Sequence, residues 1–243
     1  MEKGMKQNYS PKSSAGSDKI NLALIASGSG TDADSIMAAW ENGCIPEINP
    51  PLLISTKKGV GCLEKAQNHG VRSEVIDYKE YSNSDHFNTA CNQILNSAFT
   101  DLIFLVGCVH RVYPLEGVAM YNIHPADPFG HGGDKMYGLA VHLHVLEEIK
   151  DLIHRGKKTL KGPFYTYPTV HESTMDYDGG DMLLRQAVLI PDTIVKDFCE
   201  GRMEPKQAAK ALQEVVLPYE WLMLPSAVRM AARRILEKRK TVE

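Results

Sequence analysis

The sequence lacks the features of membrane-spanning and disulfide-stabilised proteins. Its five cysteines are widely spaced and include no CxxC pair, so neither a disulfide framework nor a zinc site is expected. No apolar run reaches the roughly 18 residues that a membrane-spanning helix needs. The polar segment over residues 1–19 has no apolar stretch of the kind found in secretory signals and is typical of a disordered tail. These absences predict a cytoplasmic protein without a membrane partner.

Charge of neither sign dominates the chain. The formal net charge is −3, which gives no reason to expect a nucleic-acid partner. Hydrophobic residues make up 43% of the sequence and charged residues 23%, as in ordinary globular proteins. A chain of 243 residues can bury a large core. We expect residues 20–243 to form a single domain, present as a monomer or a homodimer.

Short apolar segments alternate with segments of helical periodicity. Strands are predicted at residues 20–27, 51–55, 71–77, 101–108 and 121–124, with helices after the first strand and at 61–69 and 86–98. This alternation predicts an α/β fold with a doubly wound, mostly parallel sheet. Farther along, a helix is predicted at 137–150, and strand-like segments at 164–172 and 183–190 would add an antiparallel extension at the sheet edge. Helices over residues 205–238 would cover the core.

The turn after the first strand has the composition of an anion-binding turn. It contains Gly28, Ser29, Gly30, Thr31 and Asp32, and either Thr31 or Asp32 is the expected N-cap of the next helix. Free N–H groups at a helix N-terminus, together with the close approach that glycine allows, could seat a phosphate. The Asp32 carboxylate speaks against that interpretation, and glycines in such turns often serve packing alone.

An amide and an imidazole share one face of the strand at residues 121–124. Asn122 and His124 are two residues apart, so their side chains point to the same side of the strand. They lie at its carboxyl end, where open α/β sheets bind ligands. The amide could hydrogen-bond a developing oxyanion while the imidazole moves a proton. The alternative is that His124 is only a satisfied core histidine.

The acidic segment Asp176 to Asp181 leaves three interpretations open. Its two glycines suit a solvated turn, its carboxylates could bind calcium, and Asp178 could be a catalytic carboxylate beside His124. The spacing of an EF-hand loop is missing. Because His142 and His144 would lie on different faces of their predicted helix, and no HExxH motif occurs, no metal is expected; His131 is the most exposed candidate.

Taken together, four segments resemble the folate-dependent formyltransferase family, especially the members that formylate glycinamide ribonucleotide. They are ALIASGSGTD, YNIHP, TVHESTMDYDGG and PYEWLMLP, spread between residues 20 and 235. The resemblance implies a catalytic Asn122, His124 and Asp178, with His171 supporting Asp178. It further implies a substrate-binding set of Gly28, Ser29, Gly30, Thr31, Asp32 and Glu220. The folate-binding set that it implies is Val109, His110, Arg111, Val112, Met175, Asp176 and Tyr177.

The resemblance also implies a reaction. A neutral amine would attack the formyl carbon of the co-substrate 10-formyltetrahydrofolate, without a metal, and the first candidate acceptor is glycinamide ribonucleotide. Hydrolysis of the formyl group and transfer to another amine, such as an amino sugar nucleotide, are the alternatives. The chain departs from the family at residues 126–163, where PADPFGHGGDKMYG follows the His-Pro pair and an inserted loop is expected around residues 152–163. These departures are expected to affect the acceptor side or the folate rim more than the reacting centre.

Overall fold

The structure, a computed structural model, describes residues 18–176 and 178–242. The predicted tail therefore lies, up to residue 17, outside the described residues. The strands are β1 (Leu22–Ala26), β2 (Leu52–Ser55), β3 (Arg72–Val75), β4 (Leu102–Leu105), β5 (Ala119–His124), β6 (Phe164–Thr166), β7 (Thr169–Glu172), β8 (Met182–Arg185) and β9 (Val188–Ile190). The helices are α1 (Thr31–Glu41), α2 (Gly61–Asn68), α3 (Ser84–Ser97), α4 (Pro128–His131), α5 (Leu139–His154), α6 (Asp192–Cys199) and α7 (Pro205–Val242), with a 3-10 turn at Tyr78–Glu80.

Seven strands form the main sheet in the order β3-β2-β1-β4-β5-β7-β8. The first five run parallel, whereas β7 pairs antiparallel with both β5 and β8. This topology confirms the predicted mostly parallel sheet with an antiparallel extension. The order reverses at β1, so the crevice between the carboxyl ends of β1 and β4 is the place where such sheets bind ligands.

Both faces of the sheet are covered, as a doubly wound fold requires. Leu22 and Leu24 of β1 pack with α1, α2 and α7, whereas Ala23 and Ile25 pack with Phe87 on α3 and its neighbours. The alternation follows from the two-residue period of a strand, and it explains why β1 is apolar throughout.

The second half of the chain differs from the prediction in its details. Each of the two expected strands divides: β7 and β8 extend the main sheet, while β6 and β9 form a separate antiparallel pair. The break falls at Tyr167 and Pro168, where proline cannot donate a ladder hydrogen bond. A separate apolar cluster joins β6 and β9 to α5, α6 and α7. The insertion is also less irregular than expected, because α5 continues to His154 before the turns at residues 155–163.

Candidate active site

A cavity of about 450 Å³ lies at the carboxyl ends of β1, β4 and β5. Helix α7 forms one wall through Gln213, Leu217 and Glu220, and the segment at residues 133–138 covers another side. The strand ends contribute their last residues and the loops that follow them. The cavity therefore occupies the position that the sheet topology favours for a ligand.

Strand pairing brings Asn122 next to His171. The two residues are directly opposite each other in the antiparallel β5–β7 pair, and the Asn122 amide nitrogen lies 3.4 Å from His171 Nε2. The opposite ring nitrogen, Nδ1, is 3.0 Å from the Glu172 carbonyl oxygen. Because a carbonyl can only accept, Nδ1 donates this hydrogen bond. His171 Nε2 then either accepts from the amide or, when protonated, donates to a nearby carboxylate.

That carboxylate belongs to Asp178. Its Oδ1 lies 3.4 Å from His171 Nε2 and 3.9 Å from His124 Nδ1, and its Oδ2 accepts a 2.8 Å hydrogen bond from the Gly133 backbone N–H. Asp178 has a φ of 51°, a left-handed conformation that aspartate tolerates better than most residues. The loop between β7 and β8 thereby turns the carboxylate toward the end of β5.

The hydrogen bond of His124 settles which of its nitrogens holds the proton. Its Nε2 is 3.0 Å from the His131 carbonyl oxygen, so Nε2 donates and Nδ1 carries the lone pair in the neutral ring. That Nδ1 is the atom near Asp178. His124 is only 2% exposed. A proton arriving at Nδ1 would create a second donor, held beside a carboxylate.

Burial and the neighbouring polar or charged groups shift the pKa values of His124 and Asp178 in opposite directions. Burial lowers the pKa of His124, and the Asp178 charge only partly offsets it. Burial alone would raise the pKa of Asp178, but the His171 ring and the Gly133 amide together hold it below its usual range. At neutral pH the resting pair is therefore a neutral imidazole beside an ionised carboxylate, which is suited to receiving and passing on a proton.

The predicted substrate-binding turn is divided between the cavity and the core. Ser29, Thr31 and Asp32 line the cavity. Gly30 instead serves packing: its φ is 73°, and a Cβ there would lie 2.4 Å from Cys62 Cβ. The predicted N-cap is wrong, because Gly30 occupies that position and makes no side-chain capping bond. Gly28 is not among the residues that line the cavity.

Two buried carboxylates face this end of the cavity. Asp32 at the start of α1 and Glu220 on α7 both line it and are 9% and 4% exposed. Asp32 Oδ1 has no hydrogen-bond partner among the described residues. Burial raises the pKa of Asp32 to about 6, and burial followed by the Asp32 charge raises the pKa of Glu220 well above its usual range. The pair of Asp32 and Glu220 therefore retains a proton at pH values at which exposed carboxyl groups are ionised.

The predicted folate-binding set lies partly in the cavity lining. Val109, His110, Arg111, Val112 and Asp176 line the cavity. Met175 is not among the lining residues; its carbonyl accepts a hydrogen bond from the Arg111 guanidinium, which ties the two rim loops together. Tyr177 lies outside the described residues.

Several cavity residues were not predicted. His142 is 2% exposed, lines the cavity and carries a buried Nδ1 without a hydrogen-bond partner in the described structure. Burial lowers its pKa to about 4. The covering segment Gly133 to Gly138 was also missed, although its three glycines within seven residues, counting Gly132, were a usable signal.

The described part of the chain, residues 18–176 and 178–242, offers neither a metal-binding cluster nor a membrane-spanning helix. No group of three or more histidine, cysteine, aspartate or glutamate side chains there is arranged to hold a metal ion. None of the helices in that part of the chain is long and apolar enough to cross a membrane.

Residues 20–216 match the Formyl transferase family, and the chain belongs to that family. It is similar to the chloroplastic phosphoribosylglycinamide formyltransferase of Arabidopsis thaliana, with 29% identity over 175 residues that cover 70% of this chain and 55% of the relative. It is also similar to the trifunctional purine biosynthetic protein adenosine-3 of Bos taurus, with 27% identity over 217 residues that cover 88% of this chain and 18% of the relative. The chain thus spans about half of the plant relative and less than a fifth of the bovine one.

Solved structures share the fold. The glycinamide ribonucleotide transformylase 1 of Symbiobacterium toebii superposes with a TM-score of 0.67 at 24% identity, covering 91% of this chain and 93% of that one. This likeness agrees with the mostly parallel sheet and its antiparallel edge.

Proposed function

We propose that this protein transfers a formyl group from 10-formyltetrahydrofolate to an amine, with glycinamide ribonucleotide as the first candidate acceptor. The observation that carries the proposal is the convergence of Asn122, His124 and Asp178, through His171, on one cavity. Membership of the family supports the reaction class. The names of the two relatives support the acceptor and a place in purine biosynthesis.

The proposed reaction balances within these groups. The neutral amine attacks the formyl carbon, and the carbonyl oxygen becomes an oxyanion. The proton lost by the attacking nitrogen passes through a water held by Asp178 to Nδ1 of His124. The Asn122 amide and this Nδ1–H stabilise the oxyanion, because donors aimed at a developing charge lower the barrier. The carbon–nitrogen bond to the folate then breaks. The proton then returns from His124, through the water held by Asp178, to the departing folate nitrogen. Neither a metal nor a covalent enzyme intermediate is needed.

The two substrates would contact different residues of the cavity lining. We place the folate against Val109 to Val112 and Asp176, which line the cavity. The acceptor lies between the first turn, Gly28 to Asp32, and Glu220. Phosphate at that turn would be held by backbone N–H groups at the start of α1, and the proton kept by Asp32 and Glu220 reduces the repulsion between their carboxyl groups and an anion.

The proposal extends to the cellular compartment, the binding partners and the oligomeric state of the protein. All five cysteines are without a disulfide, which suits a reducing compartment such as the cytoplasm. Small molecules are the expected partners, and the protein would act as a monomer or a homodimer.

The test is to supply 10-formyltetrahydrofolate with and without glycinamide ribonucleotide. Release of tetrahydrofolate is followed by absorbance, and the formylated product is identified by mass spectrometry. We expect release only when the amine is present. Formate release without an amine would instead identify a hydrolase. Transfer to an amino sugar nucleotide but not to glycinamide ribonucleotide would move the acceptor assignment, and no reaction with any of these would contradict the proposal.

A further inference from the structure

The short helix α4 delivers two backbone groups to the proposed catalytic pair. The His131 carbonyl accepts from His124 Nε2, and the Gly133 N–H donates to Asp178 Oδ2. Only one residue separates these two groups along the chain. The turn that carries them is therefore in contact with both side chains that move the proton in the proposed reaction.

Both ends of this turn are fixed by side chains. At the start, Asp127 caps α4 by accepting from the Phe129 N–H at 3.1 Å, and Arg185 on β8 lies 3.3 Å from its other oxygen. At the end, the His131 side chain reaches α5, where its Nε2 lies 3.2 Å from Glu148 Oε2 and its Nδ1 lies 3.3 Å from His144 Nδ1. A helix of four residues has little stability of its own, so its position depends on such contacts.

We propose that His131 is a positioning residue: its side chain, held by Glu148 and His144, fixes the carbonyl that keeps the His124 proton on Nε2. The Nδ1 of His124 is thereby left open toward Asp178 and the reacting atoms. The inference rests on the proposed function, because it assigns His131 a part in that reaction.

We refer to His131 with its two partners, Glu148 and His144, as the clamp. Its hydrogen bonds persist in either charge state of His131. In the neutral ring, Nε2–H donates to Glu148 and Nδ1 accepts from His144 Nδ1–H. In the charged ring, Nδ1–H donates and His144 accepts. Asp127 and His124 are the other titratable groups that act on His131. The clamp therefore depends on the presence of hydrogen-bonding partners and not on one protonation state.

The experiment compares His131→Ala, Glu148→Gln and His154→Ala with the wild type. Nitrogen-15 NMR of histidine-labelled protein reports which ring nitrogen of His124 carries the proton, and His124→Asn identifies its signals. We expect wild-type His124 to be protonated on Nε2 and His131→Ala to give a mixture of tautomers. Its kcat should fall roughly ten- to hundredfold with KM little changed, as expected when a reacting group is mispositioned.

The other variants separate positioning from a general loss of stability. Glu148→Gln keeps an acceptor for His131 Nε2–H, so it should retain the wild-type tautomer and kcat. His154→Ala removes an exposed histidine at the end of the same helix and should change neither. If His131→Ala does not fold, Glu148→Leu replaces it, with the same expected loss.

A wild-type tautomer and kcat in His131→Ala, or in the Glu148→Leu replacement, would overturn the inference. So would a Glu148→Gln protein as impaired as His131→Ala, because the hydrogen bond would then not be what matters. The NMR measurement needs no substrate. A protein that transfers no formyl group but shows the expected tautomers would therefore count against the proposed function and not against the clamp.

Discussion

Replacing Asp32 with asparagine should stabilise the protein at neutral pH. Asp32 is 9% exposed, and burial raises its pKa from the usual 3.8 to about 6. The folded state therefore binds this proton more tightly than the unfolded state. It follows that the contribution of Asp32 to stability falls as pH rises from about 4 to about 6 and does not recover above that range. The shift corresponds to roughly 3 kcal/mol of unfavourable free energy at pH 7.

The net increase in the free energy of unfolding caused by Asp32→Asn should be somewhat smaller than this unfavourable term. A carboxylate in the first turn of a helix interacts favourably with the helix dipole, and losing it costs about 0.3–1 kcal/mol. We therefore expect Asp32→Asn to raise the free energy of unfolding by about 2 kcal/mol at pH 7.5 and to change it little near pH 4. Urea unfolding at the two pH values, followed by circular dichroism, measures both quantities.

Asp34→Asn is the matched control. Asp34 lies in the same turn of α1, but it is half-exposed and pairs with Lys65 and His69 at 3.1 Å each. Its replacement should lower stability by up to about 1 kcal/mol, as for other exposed ion pairs. An Asp32→Asn protein that is destabilised like Asp34→Asn, or whose change in stability is the same at both pH values, would refute the reasoning.

Two further variants test the packing and the charge around the reacting centre. A Cβ on Gly132 would lie 2.4 Å from the Pro128 carbonyl oxygen and 2.8 Å from Asp178 Oδ2. Gly132→Ala should therefore displace Asp178 and cut turnover by about 10²-fold. Gly130→Ala is the control, because a Cβ there meets open space, and it should match the wild type. Equal turnover rates for the two variants would count against this account. For His142, burial lowers the pKa from 6.5 to about 4, so the unfolded state binds this proton at a higher pH than the folded state does. The contribution of His142 to stability therefore falls as pH drops through this range. His142→Leu should remove up to about 3 kcal/mol of that loss between pH 6.5 and 4, measured by urea unfolding, and an unchanged pH slope would contradict the assignment.

The parts of the site that follow from local pattern could be predicted from the sequence. The two-residue spacing of Asn122 and His124 fixes their common side of β5, and the order of strands and helices fixes which end of the sheet carries the site. Both inferences need only the periods of a strand and the direction of parallel crossovers.

The remaining parts depend on contacts between distant segments. Asn122 lies opposite His171 because β7 runs antiparallel to β5. The local sequence of neither strand predicts the register of that pairing. Asp32 and Glu220 are 188 residues apart in sequence, so their joint effect on each other's pKa cannot be predicted from local spacing. The place of His142 in the cavity lining was not predicted, because a helical pattern shows that two histidines face different sides, not which side meets the cavity.

The most direct measurement of the central claim is the turnover of Asp178→Asn with 10-formyltetrahydrofolate and glycinamide ribonucleotide. Asp181→Asn, the same change at an exposed position of the same loop, is the control. Because the amide cannot carry the proton, we expect Asp178→Asn to lose about 10²–10⁴-fold in turnover, with a melting temperature near that of the wild type and an Asp181→Asn protein of normal activity. Normal turnover in a folded Asp178→Asn protein would contradict the claim that His124 and Asp178 move the proton in formyl transfer.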